Sequence, residues 1–223
     1  ERAGFVVAAE IDRDLFQLAS ESVGARENVQ LVLGDALDSG ALAPALCEAV
    51  TSAAERLRCR LKLVANLPYG VATAVITALL RKGPLPALIA VTVQSEVARR
   101  MAARPGTHEY GLLSVVVQAS GVVEHLRTLG PTVFWPRPKV SSALVRVRVD
   151  KAPPDALARV AGRLLEQRRK QSAKAMQVVG MAGSGEEAAS ALAACGIAPD
   201  RRPDHLSVED FLRLTAFLEG RKR

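Results

Sequence analysis

The four residues Asn66-Leu67-Pro68-Tyr69 stand between an apolar run, Leu61-Lys62-Leu63-Val64-Ala65, and a helix-patterned stretch from Gly70 to Leu80. A buried strand ending in an amide, a rigid proline and an aromatic ring offers hydrogen-bond acceptors beside a stacking face. That set suits a flat nucleobase carrying an exocyclic amine. Such an amine is a poor nucleophile because its lone pair is delocalised into the ring. Acceptors that hold both N–H groups out of the ring plane would localise the pair. The Asn66 side-chain oxygen and the Pro68 carbonyl are the candidates, with Tyr69 stacking on the base. The same residues are also compatible with a plain turn, since Leu67 precedes a proline and is driven to extended geometry, and Asn caps turns readily.

Two acids stand in comparable places. Gly4 to Glu10 reads as a strand, after which Asp12 caps a helix to about Val23. Val29 to Leu33 reads as a second strand, ending at Gly34-Asp35. In an open parallel sheet ligands gather beyond the carboxyl ends of the strands. Glu10, Asp35 and Asn66 are therefore expected to face one crevice. Glu10 would accept from ribose hydroxyls and Asp35 from an adenine amine, or both are solvated loop carboxylates.

The elements that position these residues alternate through the first 110 residues. The spacing predicts a helix from Ala41 to about Leu57, a strand over Leu61–Ala65, a helix over Val71–Leu80, a strand over Ala87–Val93 and a helix from Ser95 to about Ala103. This is the signature of a parallel sheet covered by helices. Leu112–Val123 and Ala143–Val149 then read as an antiparallel strand pair. Between them Phe134-Trp135-Pro136-Arg137-Pro138 makes a stiff extended loop. From Pro153-Pro154 onward the pattern is helical only, over roughly Asp155–Gln171, Glu186–Cys195 and Val208–Leu218, with Gly180–Gly185 as a flexible connector. The predicted fold class is α/β, with a Rossmann-like domain over 1–150 and a small all-helical domain over 153–223.

The 223 residues carry a formal charge of +7, divided nearly evenly between these two parts, which favours a polyanionic partner. Nearly half the residues are apolar, which argues against disorder. Cys47, Cys59 and Cys195 lie far apart, as do His108, His125 and His205, so neither a disulfide frame nor a metal site is expected. No signal peptide or membrane-length apolar run appears, so the cytoplasm is the expected location. The chain opens without Met and enters a strand almost at once, and so reads as a piece of a longer protein.

Several co-linear motifs together carry a family resemblance. They are Glu10-Ile11-Asp12, Gly34-Asp35-Ala36, Asn66-Leu67-Pro68-Tyr69, Gln94-Ser95-Glu96-Val97-Ala98-Arg99-Arg100, Pro105-Gly106 with Tyr110-Gly111-Leu112-Leu113-Ser114-Val115, and Phe134-x-Pro136-x-Pro138-Lys139-Val140-x-Ser142-Ala143. In these the chain resembles the ribosomal RNA adenine dimethyltransferases, above all the small-subunit (16S) enzymes. The likeness extends to Gln167-Arg168-Arg169-Lys170, Gly196-Ile197 and Leu206-Ser207.

The resemblance implies S-adenosylmethionine as methyl donor, with Glu10 on its ribose and Asp35 on its adenine, and Asn66 at the junction of donor and target. It places the target amine on Asn66 and Pro68, and the target base between Tyr69 and Phe134. It also implies ribosomal RNA and the small-subunit precursor as partners of a monomeric enzyme. The first strand and glycine-rich loop of these enzymes are expected upstream of Glu1, so the Rossmann-like methyltransferase sheet is read as truncated at its N-terminus.

Candidate RNA-binding cations are Arg99, Arg100 and Arg104 on one predicted helix, Lys139 in the proline loop, and Arg168, Arg169 and Lys170 with Lys174 near the end of the first tail helix. Arg100 and Arg104 would share a face by their spacing. Arg56, Arg58 and Arg60 read as exposed loop charges. Trp135 either extends the stacking surface or packs beside its prolines. The competing functions are a large-subunit (23S) adenine methyltransferase of the macrolide-resistance type and a non-catalytic ribosome-assembly factor.

Overall fold

The computed structural model describes residues 3–221. In chain order the elements are β1 (Val6–Glu10), α1 (Arg13–Val23), β2 (Val29–Leu33), β3 (Leu37–Asp38), β4 (Ala41–Leu42), α2 (Pro44–Leu57), β5 (Lys62–Asn66), α3 (Ala72–Lys82), β6 (Leu88–Gln94), α4 (Ser95–Met101), α5 (Leu112–Ser120), β7 (Gly121–Leu129), β8 (Ser142–Val149), α6 (Leu157–Glu166), α7 (Ser172–Val178), α8 (Gly185–Ala194) and α9 (Val208–Gly220).

The strands fall into two sheets and one two-residue ladder. β1 and β2 pair in parallel. A second sheet has the order β5-β6-β8-β7, parallel between β5 and β6 and antiparallel beyond. The expected antiparallel finish is present, but the single continuous sheet is not: among the described residues β1 pairs only with β2, and β5 only with β6. The short β3–β4 ladder packs beside α3 and the larger sheet. Leu37 packs on the core of the larger sheet, and the Leu42 side chain lies where any side chain at Gly83, just past α3, would collide with it.

Three expectations need correction. The helix predicted from Ala41 starts only at Pro44, because Ser39 and Gly40, both at positive φ, turn the chain back into the β3–β4 ladder. Arg56 belongs to that helix, with its guanidinium 4.9 Å from the centre of the Phe5 ring, and Arg58 forms the helix's left-handed cap. The tail's first predicted helix breaks after Glu166 and resumes at Ser172.

The largest departure is α5. Its run Val115-Val116-Val117 reads as strand because β-branched residues favour extended structure. The chain is nevertheless helical through Ser120, and only Gly121 onward is strand. Packing overrides propensity here. Leu113, Val116 and Val117 pack with Ile89, Val91 and Val93 of β6 and Val145 and Val147 of β8, whereas Val115 and Ala119 pack with Leu157, Leu164, Leu206 and Phe211 of the tail. A helix apolar on every side is a buried helix.

Past α5 the chain enters β7 under tight constraint. A Cβ on Gly121 would sit 1.9 Å from the Arg148 carbonyl oxygen, so only glycine fits. In the tail, buried Asp210 accepts from the Ser207 backbone N–H at 2.8 Å, from Arg201 at 3.2 Å and from Arg213 at 2.5 Å, tying the start of α9 to the turn before it. Arg168 donates to Asp204 at 3.3 Å and reaches the carbonyls of Thr107 and His108 at 3.4 Å, so this cation is spent on holding the 104–110 segment against the tail.

Gly121→Ala should lower stability by about 2 kcal/mol, as overpacking against backbone does. Asp210→Ala should cost a similar amount, about 2 kcal/mol, by leaving two guanidinium groups and a buried N–H without their acceptor. Urea denaturation followed by far-UV circular dichroism checks both, and a midpoint equal to wild type for either variant contradicts the packing described.

Candidate active site

Asn66 is the last residue of β5, paired with Thr92 of β6, and the Leu67 N–H continues the ladder by donating to the Thr92 carbonyl at 3.2 Å. The Leu67 side chain is buried, anchoring the turn. The Pro68 carbonyl then accepts from the N–H groups of Val71 and Ala72, both at 3.2 Å, and so opens α3. That oxygen is taken up by the helix start. The Leu67 carbonyl, one residue earlier, receives no hydrogen bond from the described residues.

Tyr69 projects back toward the sheet. Its hydroxyl lies 2.7 Å from Oγ of Ser142, the fully buried first residue of β8. This bond spans 73 residues and ties the turn after β5 to the far side of β6. The sequence reading placed Ser142 in a motif but gave it no role. The only signal was its place three residues after Lys139.

A cavity of about 300 Å³ opens here, lined by Asn66, Leu67, Pro68, Tyr69, Phe134, Trp135, Pro136 and Pro138. The structure thus brings the Asn66–Tyr69 turn and the proline-rich loop together. The Asn66 carboxamide is exposed and makes no hydrogen bond within the described residues, while Phe134 is half-buried.

Glu10 and Asp35 are neighbours of each other but do not line this cavity. The Gly34 N–H donates to the Glu10 carbonyl at 2.9 Å, which sets the two acids at the same end of the β1–β2 pair. Glu10 Oε1 accepts from the Asp12 N–H at 2.9 Å and Asp35 Oδ1 from the Leu37 N–H at 3.0 Å. Each carboxylate keeps its second oxygen available, which fits the demand of a ribose diol or an adenine amine for acceptors. Glu10 and Asp35 thus stand at the end of one sheet and Asn66 at the end of the other.

The cations disperse likewise. Arg99 is exposed on α4, but α4 ends at Met101, so Arg104 lies beyond it and shares no helix face with Arg100. Arg104 instead lines a separate cavity of about 440 Å³ with Gln118, Gly121, Ser207 and Glu209. Lys139, Arg169 and Lys170 are exposed, whereas Arg168 is engaged as described. Arg146 and Arg148 both bind Glu124 across the β7–β8 ladder, and the hydrogen bond from Arg146 holds that carboxyl below the usual range. Among the described residues no cluster of His, Cys, Asp and Glu could hold a metal ion, and no helix is long and apolar enough to cross a membrane.

Known proteins resemble this chain in sequence and in fold. The chain is 37% identical to the ribosomal RNA small subunit methyltransferase A of Moorella thermoacetica over 98% of its own length and 76% of the relative's. It is 45% identical to the protein of that name from Mycobacterium tuberculosis over 68% of its length, an alignment that spans half of the mycobacterial protein. Among solved structures, a dimethyladenosine transferase from Plasmodium falciparum superposes with a TM-score of 0.70 at 20% identity, covering 94% of this chain and 80% of that one. The 23S rRNA methyltransferase ErmE superposes at 0.57 and 23% identity, covering 98% and 83%. These two establish the fold. The family model described as "Ribosomal RNA adenine dimethylase" matches residues 1–219, and the chain belongs to that family.

Proposed function

We propose that this protein transfers methyl groups from S-adenosylmethionine to N6 of adenosines in small-subunit (16S) ribosomal RNA, giving N6,N6-dimethyladenosine. The observation that carries this reading is the cavity in which an unengaged carboxamide and a free main-chain carbonyl stand beside two aromatic rings. Asn66 Oδ1 accepts one N–H of the target amine. The Leu67 carbonyl takes the second acceptor role more readily than that of Pro68, which already serves two backbone donors. Holding both hydrogens directs the nitrogen lone pair out of the ring plane. Tyr69 and Phe134 flank the base, which must leave its stack to enter.

The donor, held by Glu10 and Asp35 through their free oxygens, supplies an already activated sulfonium methyl, so the protein's work is positioning. No side chain has to become a nucleophile. Arg99, Arg100, Arg104, Lys139, Arg169 and Lys170 provide sequence-independent contacts to phosphates. The protein acts in the cytoplasm as a monomer on small-subunit precursors.

Incubating the protein with small subunits lacking the modification and labelled donor, then digesting the RNA to nucleosides, should yield dimethyladenosine. Particle binding without dimethyladenosine would favour the assembly-factor reading. Asn66→Ala should reduce methyl incorporation by at least about 100-fold, as loss of one oriented transition-state contact does, with RNA affinity unchanged; equal incorporation by both proteins rejects the role. Ser142→Ala should lower kcat by about tenfold while leaving KM for RNA near wild type, because it frees the Tyr69 ring without removing it. Ser142→Thr, which keeps the hydroxyl, should restore most of the loss, and failure of that rescue argues against Ser142 as a positioning residue.

A further inference from the structure

Trp135 is the only tryptophan in the chain and 96% of its surface is open to solvent, yet it lines the same cavity as Asn66 and Tyr69. An indole left in water forfeits the burial that usually accounts for tryptophan in a fold. Its neighbour Phe134 turns inward and is half-buried, so the two aromatic residues divide the loop into an inner and an outer stacking face. The loop from β7 to β8 that carries them is stiff, with Pro131, Pro136 and Pro138 within eight residues.

Along the chain, the charge beside the indole has one sign. Arg137 and Lys139 are exposed on either side of Pro138, and no acidic residue occurs between Glu124 and Asp150. Glu124 itself is occupied by Arg146 and Arg148. An exposed aromatic face interleaved with free cations is the pattern that holds single-stranded nucleic acid, the ring stacking on a base and the cations taking the adjoining phosphates.

Resting on the reading of the inner cavity as the target-base site, we infer that Trp135, with Arg137 and Lys139, forms a second nucleotide subsite at the cavity mouth. It stacks the unpaired base next to the adenosine being modified. The subsite reads a π-face, not a base edge, and so demands an unpaired neighbour of any identity. Trp135 makes the site selective for a target in a loop with two adjacent splayed bases and against an isolated bulged adenosine.

The probe is a short RNA hairpin with two adjacent loop adenosines, compared with hairpins in which each adenosine in turn is replaced by an abasic ribose. The intact hairpin should quench the emission of the single tryptophan saturably. Removing the neighbouring base should weaken binding to wild type by about tenfold, within the range of one base–aromatic stack. Trp135→Ala should bind the intact hairpin about tenfold more weakly and no longer distinguish it from that abasic form, whereas Trp135→Phe should retain part of the discrimination. Because the indole is in water, its removal costs no packing, and circular dichroism should show an unchanged fold.

Absence of quenching, or equal weakening of intact and abasic hairpins by Trp135→Ala, overturns the inference. Quenching by a ribosomal protein in place of RNA overturns it too. The two readings fail separately. Dimethyladenosine formation with a Trp135→Ala variant that still discriminates removes only the outer subsite. Discrimination by the wild type without dimethyladenosine on small subunits removes only the assigned reaction.

Discussion

One constraint organises the molecule: α5 must bury apolar residues on two opposite sides at once. Leu113, Val116 and Val117 belong to the sheet core, Val115 and Ala119 to the helical core, and Leu112 touches both. Helices this short have little stability of their own, so α5 exists because both neighbours close on it. Its polar residues are spent on backbone. Ser114 donates to the Arg100 carbonyl at 2.5 Å and accepts the Gly111 N–H at 3.1 Å, while Gln118 donates to the carbonyls of Met101 and Ala103 at 2.9 Å. The carbonyls that α4 leaves open at its end are thereby satisfied by the next helix.

From α5 the constraint passes to the site without a flexible step. Gly121 brings β7 against the Arg148 carbonyl, β7 fixes β8 through eight paired positions, and β8 begins at Ser142, which holds the Tyr69 hydroxyl. On the other side β6 pairs with both β5 and β8, and thus sets Asn66 and Ser142 at one end of the same sheet. A reaction that depends on aligning an amine to within a fraction of an ångström needs such a frame more than it needs reactive side chains. The Asn66–Tyr69 turn and the start of β8, which the proline loop enters, are therefore held by one sheet, although 65 residues separate Tyr69 from Phe134 in sequence.

Much of this was legible from residue order. The strand at residues 62–66, the turn after it, the proline loop and the helical tail all announce themselves through apolar runs and prolines whose local meaning packing does not alter. What failed depended on context. Val115–Val117 carry a strand signal that only a two-sided core reverses. Arg104 carries a helical spacing that the end of α4 at Met101 cuts short. Arg168 looks like a free cation because its acceptors, Asp204 and the carbonyls of Thr107 and His108, lie 36 to 61 residues away. The acids at Glu10 and Asp35 lie at strand ends as expected, whereas strand pairing is not written in periodicity: among the described residues β1 pairs with β2 and β5 with β6.

The distribution of charge follows from the same division of labour. Of the cations that could meet RNA, several are withdrawn: Arg146 and Arg148 by Glu124, Arg201 and Arg213 by Asp210, Arg168 by Asp204. Arg104 lines a cavity together with Glu209. Among the described residues, part of the +7 formal charge is thus held in internal ion pairs. The remaining positive charge speeds encounter with a polyanion, an effect that weakens with salt, but it discriminates little between sequences. Selection of the reacting base then falls to the cavity, whose lining joins the rings of Tyr69, Phe134 and Trp135 to the Asn66 carboxamide. On the proposed reading the Asn66 oxygen and the Leu67 carbonyl face the target amine, and a base presenting a carbonyl at that edge would set an acceptor against them.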